Sequence, residues 1–322
     1  MKYTLLSLLM ISQVAVGQIP DDVTTKPKGS PETSQFPRIM LSSYEPNLIG
    51  YSYDNDDQEP FLDFKLSLKY PIMHRYFDSP ADGKCSQWLA EKGITRIQPY
   101  IAFSGRFGQY IEVRDSSPVI SKRFNPKVFL RIGEDADSHL DLEYGHESNG
   151  QRITTQASYD SLADDLEEEE KGKRSHANDF ISRGWDYYGL TLKYKPAKDF
   201  DFYFSYAHYI GGLLQGEIEE YYSWEEQRDI EKRNEVDGLR FIAKWKRETE
   251  YHDYFPVYKL AFLYTTGTDQ PFKYSTYRVE CTMNILDMPF MIWGQTGYNS
   301  DLAQYYKQVS SYGIGLELST FD

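Results

Sequence analysis

The sequence predicts an all-β protein, a transmembrane antiparallel β-barrel of about twelve strands. The chain of 322 residues contains a series of segments in which apolar and polar side chains alternate, each roughly ten residues long, as tilted membrane strands are. Aromatic residues make up 16% of the chain, with 28 Tyr, 18 Phe and 5 Trp, a load typical of the aromatic girdles of such barrels. No segment after residue 17 is as long as the ~20 consecutive apolar residues that a membrane-spanning helix requires.

The N-terminus has the pattern of a secretory signal peptide. Lys2 supplies the positive start, an apolar stretch follows from Leu5 to Ile11, and Ala15-Val16-Gly17 forms a small-residue cleavage site. We therefore expect a signal peptide over residues 1–17, cleaved after Gly17. A barrel exported in this way is expected in the bacterial outer membrane.

The mature chain divides into an N-terminal extension and a barrel. Residues 18–60 are rich in Pro, Asp, Ser and Thr without a sustained period, which favours an extension over residues 18–60 and a barrel over residues 61–322. The first strand is predicted over residues 62–70, where Leu, Phe and Tyr alternate with Asp, Lys and Ser. The further predicted strands are 95–104, 107–114, 124–133, 138–148, 185–195, 200–210, 237–247, 255–265, 275–285, 288–298 and 311–321.

A soluble β-sandwich would show the same alternation, with the apolar faces packed on each other. The signal peptide, the aromatic content and the long uniform strands favour the barrel. Two long connections, 151–181 and 211–235, are predicted as extracellular loops, and the acidic run from Asp164 to Glu170 as a solvated face.

The net charge of −14 argues against a nucleic-acid partner. Cys85 and Cys281 leave two alternatives open, a disulfide or an unpaired buried thiol.

The strand predicted near 138–148 carries the candidate chemistry. Alternate residues of a strand share a face, and one face here carries Leu140, Leu142, Tyr144, His146 and Ser148. A serine becomes a nucleophile when a base takes its proton, and histidine is the usual base near neutral pH. On a barrel whose apolar face meets lipid, this pair would face lipid substrates.

The strand predicted near 185–195 offers an acceptor for the histidine. Asp186 shares its parity with Tyr188, Leu190 and Leu192, so it points to the apolar face. A hairpin would bring Asp186 beside His146, where it would fix the tautomer and stabilise the imidazolium.

Two motifs carry a resemblance to a known family. His146-Glu147-Ser148-Asn149-Gly150, followed by Ser182-Arg183-Gly184-Trp185-Asp186, resembles the signature of the outer membrane phospholipase A family. The resemblance implies a twelve-stranded barrel that hydrolyses acyl esters of phospholipids and lysophospholipids. It implies Ser148 as nucleophile, His146 as base and Asp186 as the partner that orients the base, at a position where members often have Asn.

The resemblance also implies a calcium cofactor and activation by reversible homodimerisation. Ser116 matches a serine donated to the metal site by the neighbouring subunit, and Ser182 and Asp179 match ligands just ahead of the second strand. Oxygen donors of this kind suit Ca²⁺. The connection between the two motifs is longer than in the family.

Two rival functions remain open at this point. A porin-like channel would keep the motif without using it, and its inward residues Lys65, Lys69, Asp141 and Glu143 would either line water or pair to close the lumen. A secreted soluble esterase would require the apolar faces to be buried in a sandwich.

Overall fold

The structure is a computed structural model. It describes residues 41–55, 58–72, 96–111, 113–114, 117–133, 138–169, 173–211, 220–247 and 257–318. The predicted signal peptide, Cys85 and Ser116 lie outside the described residues. Cys281 is a free thiol.

Twelve antiparallel strands form a closed barrel, which confirms the predicted fold class. Each strand pairs with its neighbours in sequence, and the first and last strands pair to close the cylinder. The strands are β1 Asn47–Asp54, β2 Pro60–Pro71, β3 Arg96–Gln109, β4 Val119–Gly133, β5 His139–Ser148, β6 Gly184–Ala197, β7 Phe200–Ile210, β8 Gly238–Lys246, β9 Val257–Gly267, β10 Ser275–Ile285, β11 Met288–Gly297 and β12 Val309–Leu318.

The first strands differ from the prediction in two places. β1 lies within the segment predicted as an extension, so the barrel begins at Asn47 and not at residue 61. The predicted strands 95–104 and 107–114 are one strand, β3, which ends at Gln109. In β1 the inward position 48 is also apolar, so the alternation of Ile49, Tyr51 and Tyr53 is weak. In β3 Gly105 interrupts the outward apolar series on either side of it.

Apolar side chains cover the outside of the barrel. The exposed large hydrophobic residues follow the outward parity of the strands, and they include Leu66, Ile101, Val128, Leu142, Tyr188, Leu192, Phe204, Leu260, Val279, Ile292 and Ile314. A water-soluble protein does not expose a continuous surface of this kind. An apolar exterior around a polar interior is the arrangement of a barrel surrounded by lipid.

Paired charges fill the inside of the barrel. The inward ion pairs are Arg106–Asp63 at 2.8 Å, Lys127–Glu143 at 3.1 Å, Arg131–Asp141 at 2.8 Å, Arg278–Glu280 at 2.7 Å, Lys65–Glu45 and Lys259–Glu317. They surround a cavity of about 380 Å³. Each inward carboxylate of this set therefore has a cation beside it, as buried charges require.

Both ends of the lumen are occupied by packed side chains of the described residues. At the end where β1 begins, Tyr44 contacts Phe129 in a tilted arrangement with ring centroids 5.2 Å apart, and it lies under the ammonium of Lys127. At the opposite end, strand and loop residues form a buried cluster of Trp185, Tyr187, Tyr209, Ile230, Val236, Leu302 and Tyr305. The site described below lies on the wall beside this second cluster.

The long connection between β5 and β6 contains regular structure that the sequence did not predict. Helix α1 spans Gln156–Glu169 and a 3₁₀ helix spans Arg174–Phe180. Most of the acidic residues of α1 are exposed, as expected for the acidic run. Among the described residues, no helix combines the length and hydropathy needed to cross a membrane.

Candidate active site

The register of β5 and β6 places His146 directly opposite Asp186 and Ser148 directly opposite Gly184. The backbone N–H of Asn149 donates to the carbonyl of Arg183 at 3.1 Å. Because hydrogen-bonded and non-hydrogen-bonded pairs alternate along an antiparallel ladder, His146 and Asp186 form a non-hydrogen-bonded pair. Opposed side chains lie closest at such pairs, and this is the sheet geometry that brings imidazole and carboxylate together.

His146 and Asp186 are in direct contact. The imidazole Nδ1 lies 2.8 Å from Oδ1 of Asp186. The other carboxylate oxygen, Oδ2, accepts a hydrogen bond of 2.8 Å from the hydroxyl of Tyr144. The Asp186 side chain is fully covered, whereas 16% of the His146 side chain is exposed. Nδ1 therefore faces the acid, and the edge of the ring that carries Nε2 is left for a reacting group.

Ser148 lies on the same outward face as His146, two residues further along β5. Both residues are among those described, and the structure has no hydrogen bond between the hydroxyl and the imidazole. Such bonds are often long in ligand-free enzymes and shorten when substrate is bound. The arrangement thus contains an oriented base and a hydroxyl on one face, both at the rim of the barrel wall.

Asn149 joins the ends of the two strands. Its side-chain amide donates to the carbonyl of Ile181 at 2.7 Å. Its side-chain oxygen accepts from the N–H of Arg183 at 3.0 Å and from that of Gln151 at 3.2 Å. The residue is 1% exposed, and Gly150 follows in the left-handed region with φ 59°, where glycine is favoured. The chain therefore turns away from Ser148 directly after these three hydrogen bonds of the Asn149 side chain, which we call the Asn149 clamp.

Ser182 lies between the two residues that Asn149 holds. Its backbone N–H donates to the carbonyl of Ile153 at 2.8 Å. Within the described part of the chain, its hydroxyl has no hydrogen-bond partner. A hydroxyl oxygen held at this position fits the predicted role of a calcium ligand.

Asp179 is engaged in an ion pair. One carboxylate oxygen lies 2.6 Å from Nη1 of Arg114, and the other accepts a hydrogen bond from Gln304. Arg114 also contacts Glu59 at 2.6 Å. Burial alone would raise the pKa of Glu59, but its hydrogen bond with Arg114 and the attraction of that charge hold the pKa below its ordinary value. In this arrangement both carboxylate oxygens of Asp179 already have partners.

The inward side chains beside the site contact the connection between β7 and β8. Glu147 lies 2.7 Å from Arg233, which also contacts Asp237 at 2.9 Å. The indole of Trp185 donates to Glu220 at 2.8 Å, and burial raises the pKa of Glu220. The residues next to His146 and Asp186 in sequence therefore anchor the inner wall, while these two face outward.

The chain matches no protein-family model and no curated protein. Its structure matches that of an active-site mutant of outer membrane phospholipase A from Escherichia coli, with a TM-score of 0.58 and 12% identity over 90% of this chain and 95% of the other. The fold is that of outer membrane phospholipase A. A second structure of that E. coli phospholipase A has a TM-score of 0.57 and 13% identity, over 88% of this chain and 98% of the other.

A third match is outer membrane phospholipase A from Salmonella typhi, solved as a dimer with bound calcium. Its TM-score is 0.58 at 12% identity, over 89% of this chain and 94% of the other. The resemblance to phospholipase A indicated by the two sequence motifs is therefore confirmed for the fold.

Sequence reasoning missed three residues that shape this site. Tyr144 shares the parity of His146, and this signal alone could have indicated its contact with Asp186. Asn149 was part of the motif but was given no role. No sequence signal indicated the pairing of Arg114 with Asp179, because the two residues belong to loops that are far apart in the chain.

Proposed function

We propose that this protein is a calcium-dependent outer-membrane phospholipase that hydrolyses acyl ester bonds of phospholipids and lysophospholipids. The observation that carries the proposal is the contact of 2.8 Å between His146 and Asp186 on the lipid-facing wall, with Ser148 on the same face. A charged pair is costly beside hydrocarbon. A pair kept there next to a hydroxyl has the composition of an acyl-transfer site.

Ser148 is the proposed nucleophile. Its oxygen attacks the ester carbonyl while Nε2 of His146 takes the hydroxyl proton. That proton passes to the leaving alcohol, which departs as a lysophospholipid and leaves the fatty acid esterified to Ser148. Water then attacks this ester with His146 again as base, and the fatty acid is released. Throughout, Asp186 holds Nδ1 protonated and stabilises the imidazolium.

Calcium is the proposed cofactor, and Ser182 is the described residue that fits it best. Its hydroxyl oxygen is uncommitted and lies ahead of β6, close in the chain to Asp186. Ser116, which lies outside the described residues, stays a predicted ligand from a second copy of the chain. Asp179 also stays a predicted ligand, but it would first have to leave Arg114. A bound calcium ion would stabilise the negative charge that develops on the ester oxygen.

We further propose that the protein resides in the bacterial outer membrane and forms a reversible homodimer. The apolar exterior supports a lipid environment. The dimeric, calcium-bound state of the Salmonella typhi phospholipase supports the assembly. Cross-linking in detergent, with calcium and with chelator, tests it: dimers should increase with calcium.

A porin-like channel is the weaker alternative. The charges predicted to line the lumen are paired with each other: Lys65 with Glu45, Asp141 with Arg131 and Glu143 with Lys127. Such pairs join neighbouring parts of the barrel wall and leave little unpaired charge in the lumen to conduct ions. The observed interior therefore supports a hydrolase on the wall.

Acyl release from phosphatidylcholine in mixed micelles tests the function directly. Purified protein should release fatty acid in calcium and lose that activity in EDTA. Ser148→Ala and His146→Ala should each abolish release while the barrel keeps its heat-modifiable mobility on gels. Ser138→Ala, on the same strand pair but at the opposite end, is the matched control and should retain activity. Near-full activity in either site variant would refute the assignment, and conductance without acyl release would favour the channel.

A further inference from the structure

Tyr144 contacts the oxygen of Asp186 that His146 does not use. Its hydroxyl donates to Oδ2 at 2.8 Å, while the imidazole contacts Oδ1 at the same distance. Tyr144 lies two residues before His146 on β5 and pairs with Tyr188 across β6. The side chain therefore reaches Asp186 diagonally, a contact that long side chains make readily between neighbouring strands.

The position of Asp186 makes this contact consequential. The carboxylate is on the outward face but is fully covered, so it lacks bulk water to solvate its charge. An ionised carboxylate removed from water requires hydrogen-bond donors at both oxygens. His146 supplies one donor and Tyr144 supplies another.

Resting on the proposed function, we propose that Tyr144 is a positioning residue for the His146–Asp186 pair. Its hydroxyl fixes the rotation of the carboxylate so that Oδ1 faces Nδ1. It also withdraws negative charge from the carboxylate and so sets the basicity of His146. The reacting ester does not need to touch Tyr144 for either effect.

A tyrosine at this position also serves a carboxylate and an amide alike. The phenol donates to an Asp oxygen, and it can accept from the N–H of an Asn side chain. With Asn at position 186, the neutral amide oxygen would still accept from Nδ1 of His146. The hydroxyl of Tyr144 can therefore form a hydrogen bond with the Oδ2 atom of Asp or with the side-chain nitrogen of Asn at position 186.

Other titratable groups lie on the strands around this contact. On the outward side of the neighbouring strands, β4 presents Phe124 and, further towards the rim, Lys122. On β6 and β7, Tyr188 and His208 contact each other with ring centroids 5.5 Å apart. Glu147 and Tyr187 have the opposite parity and belong to the inner wall.

Tyr144→Phe removes the hydroxyl and keeps the ring. Without this donor, the carboxylate stabilises the imidazolium more strongly, so the pKa of His146 should rise by about half a unit to one unit. The acidic limb of kcat/KM should move to higher pH by the same amount, because the free base is then formed only at higher pH. The kcat should fall about tenfold, the order expected when a general base is poorly oriented.

Tyr188→Phe is the matched control, since it deletes a hydroxyl from the same face at the residue paired with Tyr144. It should leave the acidic limb and the pKa of His146 unchanged. In an Asp186→Asn background, Tyr144→Phe should shift the pKa of His146 far less, because the amide carries no negative charge that the hydroxyl of Tyr144 could withdraw. Equal effects of Tyr144→Phe in both backgrounds would overturn the proposal.

The pKa of His146 can be read without turnover. Full-length protein in detergent micelles, with ¹³C-labelled histidine, is titrated by NMR, and His146→Ala identifies the resonance. If the protein releases no fatty acid, the proposed function fails, yet the titration still tests the contact. An unchanged pKa in Tyr144→Phe refutes the positioning role even if the enzyme is active.

A second variant guards against misfolding of the first. Tyr144→3-fluorotyrosine keeps the shape of the side chain and makes its hydroxyl more acidic, hence a stronger donor. The pKa of His146 should then fall, opposite to the shift in Tyr144→Phe. A shift in the same direction in both variants would contradict the proposed hydrogen bond.

Discussion

Asn149→Ala should strongly reduce the activity of the site without unfolding the barrel. The side chain holds the carbonyl of Ile181 and the N–H of Arg183, on either side of Ser182. Alanine would leave both groups unpaired at a position that is 1% exposed in the native protein. An unsatisfied buried group costs about 1–3 kcal/mol, so with two such groups the native conformation of residues 181–183 should lose about 2–6 kcal/mol relative to displaced conformations.

This loss has a measurable consequence for calcium and turnover. Since about 1.4 kcal/mol corresponds to a factor of ten, the native conformation of residues 181–183 becomes at least ~30-fold less favoured. Because Ser182 and Ser148 both border the clamp, fatty-acid release should fall at least ~10-fold. The calcium concentration for half-maximal activity should rise by a similar factor.

The assay is fatty-acid release from phosphatidylcholine micelles across a calcium series, combined with calorimetric calcium binding. Asn178→Ala is the matched control: it lies in the adjacent 3₁₀ helix, and its side chain makes no hydrogen bond to the part of the chain described. Unchanged mobility of the folded barrel on gels separates a local effect from global unfolding. If Asn149→Ala matches Asn178→Ala within twofold in activity and calcium dependence, the clamp has no functional role.

Three further outcomes are expected from the contacts at the site. Asp186→Asn should retain more acyl release than Asp186→Ala, since an amide oxygen can still accept from His146; equal losses in the two variants would contradict an orienting role. Arg114→Gln should lower the calcium concentration for half-maximal activity several-fold, because it releases Asp179; an unchanged calcium dependence would assign Asp179 to the ion pair alone. Replacing both His146 and Asp186 by Leu should abolish activity yet keep or raise the free energy of unfolding, by up to ~4 kcal/mol, because apolar residues often outperform buried ion pairs. Denaturant unfolding in lipid measures this, and a large loss of stability would indicate a structural pair.

The parts of the fold that follow a two-residue period were predictable from sequence. β5 was predicted with its bounds nearly as observed, and the common parity of His146 and Asp186 indicated that they share a face. The physical reason is that a strand between lipid and a polar lumen has only one consistent register. Where the alternation is weak, as in β1 and at Gly105 of β3, the same rule gave wrong strand bounds.

Contacts between loops were not predictable in this way. Arg114 and Asp179 meet only because two loops fold over the same end of the barrel. Helix α1 was missed because its charged, exposed sequence lacks the apolar stripe by which a packed helix is identified. The assignment of the calcium ligands therefore depends on the motif alone. The assignment of His146 and Asp186 is also supported by the geometry of the two strands.

The division between the two faces of β5 and β6 explains why the site lies on the outside. Inward carboxylates such as Glu143 and Glu147 are paired with cations, Lys127 on the neighbouring strand and Arg233 in the connection after β7, so their charges stabilise the wall. Asp186 is directed instead at hydrocarbon, and its partners are a titratable imidazole and a phenol. A pair of this kind adds little to stability, but it keeps an oriented base on the outward wall of the barrel. The rigid, paired interior is what allows the wall to hold that base in place.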